Sequence, residues 1–305
     1  MGYKLAGYDV IGCVEIDPQM MSIYRKNHNP KHPYLMGVGE FNKIPDSELP
    51  KEFFDLDILD GSPPCSSFSM AGSREKKWGK KSHFREGQAS QHLDDLFFDF
   101  IATAKKLQPK VVVAENVKGL IQGNARGYVK EIFRGFREAG YSCQLFLLNA
   151  AAMGVPQRRE RTFFIANKSD IKIKLHFAEK QIPLRQAFIG CNEKGTDQSN
   201  SINYRYWKKC KPGESISKYH PKGNNFQSVR INLDRPASTL IGNWKVMYHT
   251  ETMRNLSQRE VCRIQSYPED YRFGDVIPGY VCGMSVPPFM MQRVSTEIYK
   301  QLLGE

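Results

Sequence analysis

The chain has 305 residues, 40% of them hydrophobic, with 18 Phe, 14 Tyr and 3 Trp. That is enough apolar material for one large domain or two ordinary ones, and it excludes global disorder. Forty-four Lys and Arg against 32 Asp and Glu leave a net charge of +12, which points to a polyanionic partner, nucleic acid before an anionic membrane. No run approaches the roughly 20 apolar residues of a membrane span, and the start, MGYKLAGYDV, lacks the apolar core of a secretory leader. A cytoplasmic protein is therefore expected. The seven cysteines include no CxxC pair, so neither a zinc site nor a disulfide framework is expected.

In chain order, Val10 to Ile16 reads as a buried strand, and Pro18 to Asn27 as a helix capped by Asp17 with Pro18 at its first position. Phe54 to Leu59 reads as a second strand that ends at Asp60-Gly61. Apolar residues at helical spacing mark a helix over His92 to Leu107. Val111 to Ala114 is a short β-branched strand, Tyr128 to Ala139 a helix closing at Gly140, and Tyr141 to Leu148 and Thr162 to Ala166 are strands. Such alternation predicts a mostly parallel sheet with helices on both faces and a site beyond the carboxyl ends of the strands. From Asn167 to Asp234 periodicity fades and Lys, Asn, Ser, Tyr and Gly become common, the texture of a smaller module. After Arg235 the pattern tightens, with helices expected at Ser257 to Gln265 and Phe289 to Leu303.

The strand LDILDG runs into SPPCSSFSMAG, so Cys65 falls on a double-proline turn at a strand's carboxyl end. A buried structural thiol is the common fate of a cysteine. Here the turn is polar and the stretch Arg74 to Arg85 that follows is rich in cations, which lower a thiol pKa and favour a nucleophile. The next strand, VVVAEN, carries Glu115-Asn116 to the same edge. That carboxylate is either an acid partner of the nucleophile or part of a helix cap. In VPQRRERTFFIA, alternation would put Arg159 and Arg161 on one face of an extended segment.

GSPPCSSFSMAG, AENVKGL and VPQRRERTFFIA are followed in order by RPASTLIG at 235–242, LSQREVCRIQSYPEDYRF at 256–273 and GMSVPPFMMQRV. This ordered set resembles the DNA (cytosine-5)-methyltransferases over nearly the whole chain. The resemblance implies an α/β fold with a Rossmann-like, S-adenosylmethionine-dependent methyltransferase sheet and a smaller target-recognition domain. It divides the chain into 1–166 (catalytic and cofactor), 167–234 (target recognition) and 235–305 (return to the catalytic domain). Cys65 would add to cytosine C6, Glu115 would engage N3, and Arg159 and Arg161 would hold the base or orient the cysteine, on a base flipped out of double-stranded DNA. VEID at 14–17 resembles the acidic site for the cofactor ribose. Glu15, Ile16 and Pro63 are the expected cofactor contacts. Ser67, Arg74, Lys76, Lys77, Lys80 and Lys81 are the expected DNA contacts, mostly to phosphates.

Three departures from the family pattern stand out. The usual Gly-Asp-Ile has no counterpart, the sequence reading MGVGEFN at 36–42. The late Gly-Asn-Ser-Val reads GMSV at 283–286. The first strand and its F-x-G-x-G-G loop are not found, so the expectation is a truncated sheet with weak cofactor binding, or a loop supplied by another chain. Otherwise a monomer is expected. Two other readings compete with a DNA methyltransferase: an inactive DNA-binding relative, and an RNA cytosine-5 methyltransferase of the same ancestry.

Overall fold

In a computed structural model of the chain, residues 1–63, 81–82, 91–92, 96–122, 126–224 and 227–304 are described. The strands are β1 (Gly12–Glu15), β2 (His32–Leu35), β3 (Ile58–Gly61), β4 (Lys81–Ser82), β5 (Gln91–His92), β6 (Val111–Val117), β7 (Ser142–Asn149), β8 (Glu160–Asn167), β9 (Val229–Arg230) and β10 (Met247–Tyr248). The helices are α1 (Gly2–Leu5), α2 (Pro18–His28), α3 (Val38–Phe41), α4 (Leu96–Leu107), α5 (Arg126–Glu138), α6 (Leu184–Ala187), α7 (Tyr204–Trp207), α8 (Gln258–Ile264), α9 (Pro278–Met284) and α10 (Pro288–Ile298). They fall into two compact units. One comprises Val10–Leu148, Glu160–Leu175 and Thr296–Glu305, the other Met1–Asp9, Asn149–Arg159 and His176–Ser295.

The first unit holds the main sheet, in the order β3-β6-β8-β7. β3 runs parallel to β6, and β6 antiparallel to β8. The expectation of a mostly parallel sheet is corrected to a mixed one. Neighbours β7 and β8 are joined by only ten residues holding one 3-10 turn, too few for the crossover that a parallel pair needs. Val112, Ala114, Phe164 and Ala166 on one sheet face pack with Phe97, Phe100 and Ile101 of α4 and Ile132 and Phe136 of α5. A second parallel pair, β1-β2, encloses Phe41, Phe53 and Leu107 with Val14 and Tyr34. Among the described residues, β1 pairs with β2 and β3 with β6, and no strand joins the two sets.

Local signals explain most boundaries. The Asp17 carboxylate accepts from the amides of Gln19 and Met20, so α2 starts at Pro18 as its cap predicts. α5 ends before Gly140, which takes a φ of 89°. Ser257 and Glu260 form a reciprocal capping box at α8. The strand expected at Phe54 to Leu59 is displaced. A 3-10 turn occupies Lys51–Asp55 and the strand is Ile58–Gly61. The turn buries Phe53 beneath Gly12, where a Cβ would lie 2.8 Å from the ring. β2 escaped the sequence reading because Pro33 interrupts it, and proline is tolerated only where no ladder donor is required.

In the other unit, Leu184, Leu240, Trp244, Leu256 and Val261 form one core with Cys282 of α9. Tyr206, Trp207, Ile216 and Tyr248 form another.

Gly61, the last residue of β3, is required by packing. A Cβ there would meet the Phe100 ring at 2.4 Å. Gly61→Ala is expected to destabilise the protein by about 1–3 kcal/mol, and Gly61→Ala/Phe100→Leu to recover part of the loss. Urea unfolding of the two variants checks the coupling.

Candidate active site

β6 is buried from Val111 to Asn116, and its carboxyl end brings Glu115 and Arg161 together. Its register with β8 pairs Glu115 with Phe163 and Val117 with Arg161. Side chains alternate along a strand, so Glu115 and Arg161 are diagonal neighbours on one face. The Arg161 Nε lies 3.0 Å from Glu115 Oε1, with the two side chains 14% and 9% exposed. Arg161 also donates to its neighbour's carbonyl, Glu160 O. Burial pushes the guanidinium below its usual range, and the adjacent carboxylate acts in the opposite direction. A charged carboxylate at this depth requires such a partner.

The opposite face of β6 carries Asn116. Its Nδ2 donates to the Pro63 carbonyl at 2.9 Å, and the Thr162 hydroxyl donates to Asn116 O at 3.1 Å. The segment leaving β3 toward Cys65 is therefore tied to the end of β6 at Pro63, which is buried. Cys65 itself, with Ser67, Arg74, Lys76, Lys77 and Lys80, lies outside the described residues, and Lys81 is described only as backbone in β4. Among the described cysteines, burial pushes Cys13 up to about 11 and Cys143 up to about 12. These thiols stay protonated at neutral pH, as expected for small buried hydrophobes.

Arg159 precedes β8 and belongs to the second unit. It is 1% exposed and donates to Leu240 O at 2.7 Å and Gly283 O at 3.0 Å. It thus ties RPASTLIG to GMSV. Gly283 cannot carry a side chain, because a Cβ would sit 2.2 Å from the Ile241 backbone. Gln157, which the sequence reading passed over, completes this network. Its Oε1 accepts from Leu240 N at 2.8 Å and its Nε2 donates to Gln265 Oε1 at 2.6 Å. Gln265 in turn donates to Ser285 O at 2.7 Å. The signal was an uncharged polar residue inside VPQRRER, adjacent to residues already singled out.

At the carboxyl end of β1, Glu15 Oε1 accepts from Asp17 N at 2.8 Å, which fixes the carboxylate there. Ile16 follows. Gly37 leaves the end of β2, and a Cβ on it would find Ile16 Cδ1 at 3.7 Å and Glu40 Oε2 at 3.9 Å. The ends of these two parallel strands are therefore followed by two carboxylates, Glu15 accepting from Asp17 N and Glu40 accepting from Gly37 N at 3.2 Å, beside the aliphatic side chain of Ile16. That donor set suits a ribose diol and an adenine ring, and it fits S-adenosylmethionine. Glu40 was missed because the motif there was sought as aspartate.

A mixed α/β sheet with polar residues at its strand ends suits a nucleotide-cofactor enzyme of the methyltransferase type. Residues 1–187 and 176–300 match the C-5 cytosine-specific DNA methylase family, and the chain belongs to it. It uses S-adenosylmethionine to methylate C5 of cytosine in DNA. The type II methyltransferase M1.HphI of Haemophilus parahaemolyticus is 27% identical over 330 residues, covering 100% of this chain and 84% of the relative. M.NgoPII of Neisseria gonorrhoeae is 26% identical over 336 residues, covering 99% and 92%. A solved DNA modification methyltransferase from an E. coli prophage shares the fold, with a TM-score of 0.72 at 22% identity over 100% of this chain and 95% of that one. These relatives do not favour the reading as an inactive DNA-binding remnant.

Arg161→Ala strands the Glu115 carboxylate in a buried position. It is expected to cost about 3–5 kcal/mol at neutral pH. Urea unfolding at neutral pH checks the loss.

Proposed function

We propose that this enzyme methylates cytosine within one specific duplex sequence, with Cys65 as the nucleophile and Glu115, held by Arg161, at the ring's N3. The observation that carries the reading is the buried Glu115–Arg161 pair at the end of β6, on the strand whose Asn116 fastens Pro63, two residues before Cys65. Attack by the Cys65 thiolate forms a C6–S bond and moves electron density onto N3 and C5. Glu115 hydrogen-bonds at N3 and offsets the charge that develops there, and Arg161 keeps that carboxyl group in position. S-adenosylmethionine, when bound, supplies the methyl group that C5 receives. Loss of the C5 proton and departure of the Cys65 thiolate restore the ring. Arg159 joins the 240 and 283 segments of its own unit.

Glu15, Ile16 and Pro63 are the proposed cofactor contacts, with Glu40 added by the geometry at Gly37. The cations Arg74, Lys76, Lys77, Lys80 and Lys81, with Ser67, are proposed to grip DNA phosphates around a base flipped out of the stack. Residues 167–234 are proposed to choose the sequence, between a catalytic part at 1–166 and its continuation at 235–305. The relatives' description as type II methyltransferases supports a role beside a restriction endonuclease. A monomer acting on cytoplasmic DNA completes the reading. Among the described residues no helix is long and apolar enough to cross a membrane.

Cys65→Ser is expected to lower methyl transfer by roughly a thousandfold or more. DNA binding should stay within severalfold, because phosphate contacts carry much of the affinity. Radiolabelled methyl transfer and a gel shift check the two halves. A Cys65→Ser enzyme with the wild-type rate would overturn the covalent mechanism.

A further inference from the structure

The second unit contains a recess of about 470 Å³ lined by Gln198, Asn203, Ser228, Asn243, Lys245 and Asn255. Its frame is fixed by backbone bonds. Gln198 N donates to Met253 O at 2.8 Å, and Asn255 N to Thr196 O at 2.9 Å. Asn255 Nδ2 donates to Lys245 O at 2.7 Å. β9 and β10 pair in parallel beside it.

The sequence Asn243-Trp244-Lys245 shows how the rim is built. Trp244 is buried and lies so close over Gly279 that a Cβ there would be 2.1 Å from the indole. The buried indole leaves its two neighbours, Asn243 and Lys245, exposed. Among the described residues, the side chains of Gln198 and Asn243 make no hydrogen bond. The Lys245 ammonium makes no ion pair and sits 6.0 Å from the Trp244 ring centroid. Polar side chains without internal partners, carried on a backbone frame fixed by hydrogen bonds, are what a recognition surface needs.

Charge indicates the partner. Residues 194–255 carry eleven Lys and Arg against four Asp and Glu. Three of those four acids are engaged locally: Asp197 with Ser199, Glu214 with Lys218 and Tyr219, and Asp234 with Arg185. This fifth of the chain therefore holds more than half of the net charge, around a recess that presents amides and an amine. Amide side chains pair bidentately with the N6 and N7 edge of adenine, and lysine pairs with O6 and N7 of guanine.

We propose that this recess reads purine edges in the major groove of the recognised duplex, with Gln198 and Asn243 presented to adenine and Lys245 to guanine. The inference rests on DNA as the substrate. It also extends sequence selection beyond residue 234, where the module expected to choose the target ends.

The test is methylation of a duplex pool randomised around one cytosine, scored by sequencing after conversion of unmodified cytosine. It is run for the wild type and for Gln198→Ala, Asn243→Ala and Lys245→Ala. Each variant should lose roughly ten- to a hundredfold of its discrimination at one purine position, guanine for Lys245→Ala. The readout is a ratio of rates on competing duplexes, so it does not depend on how much of a variant is folded. The same pools scored by bound fraction in a gel shift cover a variant that binds without turnover. Unchanged sequence preference in all three variants would overturn the proposal. So would uniform weakening across sequences with a flatter salt dependence, the mark of phosphate contacts alone. A wild-type enzyme that methylates no duplex in the pool would instead overturn the reading on which the proposal rests.

Discussion

A charged carboxylate cannot stay in a protein interior without a partner of opposite charge, and the site depends on how this chain satisfies that requirement at Glu115. The partner is supplied by register rather than by proximity in sequence. β8 runs antiparallel to β6, so the residue diagonal to Glu115 on the same face is Arg161, 46 positions later. A slip of one residue in that pairing would turn Arg161 to the opposite face and leave Glu115 alone. The apolar residues that flank the pair, Val113, Phe163 and Ile165, are all buried, and their burial resists such a slip. Core packing and site geometry are here one constraint.

The arginine two residues earlier illustrates a different use of the same side-chain type. Arg159 and Arg161 sit in one motif, yet Arg159 belongs to the second unit and spends its guanidinium on backbone carbonyls. A planar fork of donors can hold two carbonyls from different segments at once, which a lysine ammonium does less well. Gln157 and Gln265 extend the tie to Ser285. Motifs separated by more than a hundred residues thus share one buried hydrogen-bond network, in which loss of any member leaves others unsatisfied.

The division of charge follows the same logic. Among the described residues of the first unit, the buried pair Glu115–Arg161 sits at the strand ends. The positive excess of the chain collects in residues 194–255, where exposed lysines and arginines meet few acids.

Sequence alone determined the class of fold, the cap of α2, the helix beginning at Ser257, the end of α5 at Gly140, and the candidate residues Glu15, Glu115 and Arg161. These are signals carried by short stretches: alternation, capping chemistry, turn residues and ordered motifs. Tertiary structure alone decided the antiparallel sense of β8, the displacement of β3 by a turn that buries Phe53, and the existence of β2 despite Pro33. It also decided that Arg159 binds carbonyls while Arg161 binds a carboxylate, and that Gln157, Glu40 and the recess at Asn243 belong among the functional candidates. The reason is physical. A hydrogen bond between residues 157 and 265, or 159 and 283, depends on which segments pack together, and no local pattern in the chain encodes that distance.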